Sequence, residues 1–537
     1  MGTKKYSKEL KDQIVLAPLK RQKPITELSS ENDVPEYQLN SLKNTNIHGC
    51  FINGKHELNN SKEIIFVKNP YDEKIKYKVE ESNFSQIERA LNFGYKSFKS
   101  GIWSNLDVRE RSEVLNNTAA LIDQNLEDLI KIEVDQIGRP IREMRAQLGR
   151  LSEWFKYFAS LIRIFEGRVT PFKGDYINYV ERVPLGLVVQ ITPWNHPLLI
   201  SIKKLSCALA AGNSVVLKPS ELSPVSILRI ADFLNESGLP KGVFNIVQGY
   251  GSKIGRKLCV NDHVSKIDLT GGDNAGKIIG EYAGKNGIYY STELGGKSPM
   301  LVFEDCEIEK TVSGITFGCF IASGQTCIAG TRLLIQRSIS EKFLSSLKKK
   351  LLSLKIGNPY SLETNIGPVI SRDSLLRIDK IIKEAVKEGG QIIVGGKIHK
   401  KIKSGFFYEP TVILTKNISN IAQEELFGPV LSCIIFDTEE DAISLANDTK
   451  YGLAASIWTE NLARAHSVAS KLDCGIIWIN DHHKNDPSSP WGGFKNSGIG
   501  RENGHEAYMQ YSHTKSIIAN YSRKYDDWFS DQASRYS

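Results

Sequence analysis

From about Phe84 to Phe165, apolar residues recur every three or four positions in "SQIERALNFGYKSF", "RSEVLNNTAALIDQNLEDLIKI" and "EWFKYFASLIRIF". That spacing lines one face of successive helices, so a helical layer is predicted there. The pattern then changes. "GRVTPFKGDYINYVERVPLG" brackets the alternating run "YINYVERV" with Gly, Pro and Asp, which predicts a hairpin whose free edge invites pairing with another chain. From Leu187 short apolar strands alternate with helices: "LVVQI", "LLISIKKLSCALAAG", "SVVLK", "VSILRIADFLNESG", "VFNIV" and "SKIDL". A second series begins near Met300 with "MLVF" and runs through "RLLIQ", "QIIVGG", "SIWTE" and "GIIWIN". Strand and helix in alternation mean a parallel sheet covered by helices. The expected fold is α/β with two such domains and no internal repeat.

Length agrees, because 537 residues exceed what one hydrophobic core supports. With 41% hydrophobic and 24% charged residues the composition is that of a globular protein. No apolar run approaches the roughly 20 residues of a spanning helix, so no transmembrane segment is expected. The net charge of +8 comes from 69 basic residues interspersed with 61 acidic ones, a distribution that argues against nucleic-acid binding. Residues 1 to 30 hold seven Lys or Arg, three Asp or Glu and no continuous apolar stretch, unlike a secretory leader or a transit peptide. "MGTKKYS" has Tyr6 where a myristoylation motif needs Ser or Thr. A cytoplasmic location is expected. Eight cysteines stand singly, at 50, 207, 259, 306, 319, 327, 433 and 474, with no C-x-x-C pair and no tight cluster with His. They read as reduced thiols, and no metal site is expected.

Candidate chemistry begins at "GQTCIAGTR", where Cys327 sits among small residues that leave room for a substrate. "ITPWNHPLLI" puts Asn195 just past the carboxyl end of a strand, where open α/β sheets hold ligands and an amide can donate to an oxyanion. "VVLKPSE" ends the next strand with Lys218 and Glu221, a pair suited to a ribose; the carboxylate would repel a 2′-phosphate, which favours NAD over NADP. "GYGSKIG" supplies Gly249, Gly251 and Gly255, and "LTGGDNAG" supplies Gly271, Gly272 and Gly276, glycines at strand-to-helix junctions that let backbone N–H groups approach phosphate. Neither run has the G-x-G-x-x-G spacing. "TELGGKSP" offers Glu293 beside Gly295 and Gly296, where partial desolvation would make the carboxylate a usable base. "EELFGPV" places Glu425 and Phe427 before a turn, and "PWGGFKNSGIGRENG" is a Gly-rich loop from Pro490 to Gly504. Taken singly, each also has a structural reading: Cys327 as a small buried hydrophobe, Asn195 as a turn residue, Lys218 and Glu221 as a solvated loop, Glu293 as a surface carboxylate.

As an ordered set, "PWNHP", "KPSE", "LTGG", "ELGGKSP", "GQTC", "EELFGPV" and "PWGGFKNSGIGRE" resemble the aldehyde dehydrogenase superfamily from about Phe51 to Tyr511. The resemblance implies that Cys327 attacks an aldehyde to give a thiohemiacetal whose oxyanion is held by the Asn195 amide and the Cys327 N–H. Hydride then passes to NAD, and Glu293, which can first deprotonate Cys327, activates the water that hydrolyses the thioester to a carboxylic acid. It further implies that Lys218 and Glu221 hold the adenosine ribose, that the Gly271 to Gly276 turn meets the pyrophosphate, and that Trp194, Glu425 and Phe427 complete the cofactor site. Gly272 stands where a Ser is often found. The helix after Asn195 is expected to line the substrate tunnel with His196, Ile200 and Lys203, opposite Trp491, His482 and His483. Many relatives carry a large aromatic in place of Lys203. A cation there would favour an anionic or polar aldehyde tail, although the expected conformation has this Lys reaching out to solvent.

The implied architecture is two Rossmann-like α/β domains, cofactor and catalytic, plus a small β oligomerisation element. It assigns 47–168 and 184–296 to the NAD-binding domain, 297–505 to the catalytic domain, and 169–183 with 506–524 to the oligomerisation element of a dimer or tetramer. Residues 1–46 are expected to be a mobile extension and 525–537 a tail. Competing readings are a CoA-acylating branch, against which Glu293 argues, a cysteine hydrolase, against which Glu221 and the two Gly turns argue, and a scaffold that keeps the fold without turnover.

Overall fold

Asn83 opens the helical layer. Its side chain accepts from the Gln86 N–H at 2.9 Å while the Gln86 side chain accepts from the Asn83 N–H at 3.2 Å, a reciprocal cap on the helix Phe84–Lys99. Helices Val108–Gln124, Leu126–Ile137, Ile141–Leu148 and Ser152–Ile164 follow, as the periodicity predicts. Gly138 ends the third of these five at φ 68, where a Cβ would lie 2.6 Å from Pro70 and 2.8 Å from Pro368. Leu115, Ala119, Ile122, Phe155 and Phe158 fill the contact between helices with no exposed surface. The computed structural model describes residues 47–61, 63–523 and Phe529. The expected extension 1–46, and the tail 525–537 apart from Phe529, lie outside them.

Two mostly parallel sheets form the body. The first has eight strands in the order Gly498–Ile499, Tyr289–Glu293, Val264–Thr270, Leu187–Ile191, Ser214–Lys218, Phe244–Ile246, Cys50–Ile52 and Lys55–Glu57. The five from Tyr289–Glu293 to Phe244–Ile246 are parallel, and the outer three pair antiparallel. Their direction of progress reverses between Leu187–Ile191 and Val264–Thr270, and ligand crevices of open α/β sheets form at such a reversal. The loop carrying Asn195 and the turn carrying Gly271 leave from these two strands.

The second sheet runs Gln391–Val394, Thr411–Leu414, Val430–Phe436, Gly330–Gln336, Ser298–Val302, Ala454–Trp458 and Ile476–Ile479. All neighbours are parallel except Gln391–Val394, which pairs antiparallel at the edge. The expected α/β class and both strand series are present. Thr411–Leu414, Val430–Phe436 and a small sheet of Ile47–His48, Ile64–Lys68 and Ile75–Glu80 are additions. A third sheet pairs Tyr176–Pro184 with Ser512–Asn520 over nine residues and carries Arg168–Thr170 on its other edge, so the expected hairpin meets the end of the described chain.

Arg332, the last residue of "GQTCIAGTR", is completely buried in a central strand of the second sheet. Its guanidinium donates to Lys297 O at 2.9 Å, Asn417 Oδ1 at 3.1 Å, Leu445 O at 2.7 Å and Ala446 O at 2.6 Å. The last two carbonyls belong to the final turn of the helix Glu439–Asn447, where a cation also meets the negative end of the helix dipole. Arg332→Met would leave these acceptors without a donor and is expected to cost about 3 kcal/mol of stability. Urea unfolding of the variant checks this, and an unchanged midpoint would remove the clamp from the account.

Candidate active site

The cysteine loop is bent by three consecutive left-handed residues. After the helix Ile308–Phe320, Ala322 and Ser323 have φ of 54 and 55, and Gly324 has φ 72 where a Cβ would come within 2.1 Å of Gly428 O. Two non-glycine residues in that region are strained and persist only where neighbours over-determine them. Here the Ala322 N–H donates to Glu143 Oε2 at 3.1 Å and Ser323 Oγ to Gly367 O at 2.8 Å. Gln325 binds on both sides, its Oε1 accepting from Ile370 N at 2.8 Å and its Nε2 donating to Ala322 O at 3.2 Å. Asn195 reaches across from the first sheet and donates from Nδ2 to Gln325 O at 3.0 Å. That uses one of its two amide N–H groups and leaves the other for a ligand. Cys327 follows, a half-buried free thiol.

Cys327 borders a cavity of about 540 Å³. Of the residues anticipated from the sequence, Glu293, His196, Ile200, Lys203 and Trp491 line it with Cys327, as do His482 and His483. Glu293 ends a strand of the first sheet and Cys327 precedes a strand of the second, so the cavity lies at the junction of the two sheets. Asn195 is buried next to the cysteine loop and does not line the cavity. The three imidazoles are held neutral. Burial, then the charge of Arg139, pushes His196 well below its ordinary range, and its Nδ1 accepts from Arg139 Nη1 at 2.8 Å. Burial pushes His482 down to about 4 while its Nε2 donates to Ile328 O at 2.8 Å, and His483 is lowered in the same way.

Lys203 does not reach solvent. Its side chain is 4% exposed, with Nζ 2.8 Å from Glu502 Oε2 and 4.6 Å above the centre of the Trp491 ring. The helix that carries it, Pro197–Ala210, is buried on nearly every side, so there is no solvent face to reach. Lys204 continues the network, with Nζ 2.7 Å from Asp268 Oδ1 and 2.5 Å from Glu502 Oε1. Tyr511 donates its hydroxyl to Asp268 Oδ2, and Thr270 Oγ1 donates to Glu502 Oε1 at 3.3 Å. Sequence reasoning singled out neither Lys204 nor Glu502 nor Arg139. Two adjacent lysines inside an otherwise apolar helix were the available signal, because both must find anions when the helix is buried.

This network sets the protonation of the site. Burial alone would raise the Glu502 carboxyl, but Lys203 and Lys204 prevail and hold it down at about 2. Glu293 moves the other way, up to about 8, first through burial and then through the Glu502 charge, with the two lysines opposing. Its Oε1 has no hydrogen-bond partner among the described residues. A buried carboxyl aimed into a cavity and short of partners has the form of a general base waiting for water. The Cys327 thiol is pushed up to about 12 by burial, then by Glu293 and Glu425.

The remaining anticipated residues form a second set that does not line this cavity. Lys218 is buried, which corrects the solvated-loop reading, and its Nζ donates to Pro219 O at 2.8 Å and stands 3.6 Å from Glu221. Trp194 and Phe427 meet edge to face at 5.4 Å, with Phe427 in the left-handed region at φ 55. Glu425 Oε1 accepts from the Gly296 N–H at 3.0 Å, and a Cβ on Gly296 would lie 2.6 Å from Cys327 O, so this carboxylate is coupled to the cysteine loop through one glycine. Gly251 begins the helix Gly251–Cys259 and Gly272 caps Asp273–Asn286, and neither helix has a side-chain cap. Space within 4 Å of a Cβ on Gly251 or Gly272 is open, so the N–H groups of these two helix starts are not walled off by side chains; Gly255 lies in the second turn of its helix and is buried. Gly271 binds inward, donating to Glu293 O at 3.1 Å. Gly276 serves close packing, since a Cβ there would lie 2.7 Å from Leu294.

Comparison with known proteins agrees with this geometry. The model of the aldehyde dehydrogenase family matches residues 57–517. A betaine aldehyde dehydrogenase of Bacillus subtilis is 37% identical over 484 residues, covering 89% of this chain and 99% of that protein. A fluoroacetaldehyde dehydrogenase of Streptantibioticus cattleyicolor is 38% identical, covering 82% and 89%. The crystal structure of a Staphylococcus aureus betaine aldehyde dehydrogenase in complex with NAD+ superposes with a TM-score of 0.88 at 36% identity, covering 92% of this chain and 99% of that one.

The electrostatics of the thiol are testable without any substrate. Glu293 raises the Cys327 thiol only when ionised, so Glu293→Gln is expected to speed alkylation of Cys327 by iodoacetamide at pH 9 and to leave it nearly unchanged at pH 6.5, where Glu293 already holds a proton. Mass analysis of the labelled peptide reads the rate. Equal rates at both pH values would show that the two groups do not interact.

Proposed function

The chain belongs to the aldehyde dehydrogenase family and oxidises an aldehyde to its carboxylic acid with NAD; from this premise we propose that Cys327 is the nucleophile and Glu293 the base. What carries the assignment is one cavity wall that holds a free thiol and a buried carboxyl with an unpartnered oxygen. The Cys327 thiol passes its proton through Glu293 to solvent and the thiolate attacks the aldehyde carbon, whose carbonyl electron pair moves onto oxygen to leave a thiohemiacetal oxyanion. The free N–H of Asn195 and the backbone N–H of Cys327 receive it, and the bond from Asn195 to Gln325 O fixes the amide for that task. The chemistry NAD supplies is hydride acceptance, which turns the thiohemiacetal carbon into a thioester carbonyl. Glu293 then takes a proton from water as it attacks the thioester, the acid leaves and the thiol is restored.

The cofactor would rest on the second set. Lys218 and Glu221 suit the adenosine ribose, the uncapped helix starts at Gly251 and Gly272 suit the pyrophosphate, and Glu425 with Trp194 and Phe427 suits the nicotinamide side. The Glu221 carboxylate supports NAD over NADP. The two α/β units would divide the labour, cofactor on the first sheet and catalysis on the second. A dimer or tetramer is supported by the third sheet, whose Ser512–Asn520 edge is open and whose Val169, Tyr179 and Ile518 are exposed. Eight free cysteines, and no helix among the described residues long and apolar enough to cross a membrane, support a cytoplasmic place that cell fractionation would test.

Purified protein with NAD and aldehyde is expected to produce NADH, and Cys327→Ser to produce none. Asn195→Ala is expected to lower kcat roughly a hundred- to thousand-fold with NAD binding nearly unchanged. NADP in the same assay should give the lower kcat/KM. Near-normal turnover by either variant would remove that residue from the mechanism. Light scattering is expected to report a dimer or tetramer, and a monomer would end the assembly proposal.

A further inference from the structure

Aromatic faces seat cations, and a quaternary ammonium group is the ligand such faces recognise best. In this cavity the face of Trp491 is already taken by the chain's own Lys203 ammonium at 4.6 Å. Trp478, behind that wall, is spent on His482 at 4.6 Å and Trp491 at 6.2 Å, and Trp154, which also lines the cavity, is buried with its Nε1 donating to Asn503 Oδ1. Two of the carboxylates on the cavity wall are ion-paired within the chain, Glu502 to the two lysines and Glu143 to Arg139 at 3.2 Å. A cationic tail entering here would find the Trp491 face already occupied by a like charge.

The mouth has the opposite character. Arg142 and Lys484 line the cavity, are exposed, and form no ion pair among the described residues. A neighbouring cavity of about 240 Å³ shares Arg142, Phe317, Ile321 and the Arg139-paired Glu143 with the first and adds Lys350, which is exposed and likewise has no ion pair among the described residues. Arg142 thus belongs to both spaces, with Lys484 on the wall of the first and Lys350 on the wall of the second.

We infer that the cavity selects an aldehyde whose far end carries an anionic group, received by Arg142 at the mouth, and rejects quaternary-ammonium aldehydes because Lys203 occupies the aromatic seat they would need. The inference rests on the dehydrogenase reading above and adds the substrate class. A guanidinium suits a carboxylate by its two parallel N–H donors, and desolvation at a cavity mouth strengthens the pairing beyond that of an open surface. Rejection of the cation comes from a like charge about one tail-width away in a low-dielectric pocket.

The test compares hexanal, its ω-carboxylate and its ω-trimethylammonium derivative at low and high salt. The expected order of kcat/KM is anionic, neutral, cationic, with about tenfold or more between the extremes, compressed by salt. Arg142→Gln should lower the anionic-to-neutral ratio at least about fivefold, chiefly through KM, and Lys203→Met should raise the cationic-to-neutral ratio by about tenfold. A wild-type enzyme that oxidises the cationic aldehyde as well as hexanal, or an Arg142→Gln variant with an unchanged ratio, overturns the inference. Should none of the three be turned over, the dehydrogenase reading fails separately. The selectivity is then read from protection of Cys327 against iodoacetamide, where hexanedioate must protect better than hexanoate and the cationic acid must not protect at all.

Discussion

Burying Lys203, Lys204, Asp268 and Glu502 together is the constraint that the rest of the site obeys. Each of these charges would cost several kcal/mol if it were alone in the interior, and the group is tolerable only because every member has a partner of opposite sign within 2.8 Å. The partners come from distant parts of the chain: the helix Pro197–Ala210, the strand Val264–Thr270 and the loop that follows Ile499. Tyr511, bonded to Asp268 and accepting from Gln190 Nε2 at 3.1 Å, adds the start of the last strand. The network therefore works as a lock on the carboxyl end of the first sheet. It also bears on Glu293, whose tendency to keep a proton comes first from burial and then from the ionised Glu502, with the two lysines opposing.

The same burial creates a tension in the chemistry. Low local polarity strengthens any oxyanion bond from Asn195, yet it raises the Cys327 thiol and the Glu293 carboxyl together. Proton transfer from the thiol to Glu293 runs uphill in this state. Glu425, which adds to the thiol's burden, is itself raised to about 7 by burial and accepts from the N–H of Gly296, whose Cα packs against the Cys327 carbonyl. Any group that neutralises or engages Glu425 would therefore lower the Cys327 thiol.

Much of this was legible in the sequence. Strands such as "LVVQI" and "SVVLK" are short apolar runs between turn residues, and their near-complete burial is what a parallel sheet covered on both faces requires. Cys327, Glu293, His196, Ile200, Lys203 and Trp491, which the family resemblance had grouped, all line one cavity. Thr411–Leu414 and Val430–Phe436 were harder, since "TVIL" is short and "VLSCIIF" has no alternation. Glu502 was hidden for another reason: it sits in a Gly-rich loop, and only the fold places that loop over the Lys204 side chain. The direction of Lys203 depended on whether its helix had a wet face, a property of the packing around the helix and not of its own residues.

Lys203 finally shows why the substrate and the base cannot be tuned apart in this chain. One ammonium closes the Trp491 face to a cationic ligand, and the same ammonium helps to keep Glu502 ionised and to draw Glu293 towards ionisation. An aromatic side chain at this position would open the ring face and remove a positive charge 2.8 Å from Glu502, leaving Lys204 to balance Glu502 and Asp268 alone. Glu293 would then lose one of the two cations that oppose its burial, and its proton would be held more firmly. A change of aldehyde preference at this one residue therefore carries a change of base strength with it, and the two properties are coupled by Coulomb's law across a few ångströms.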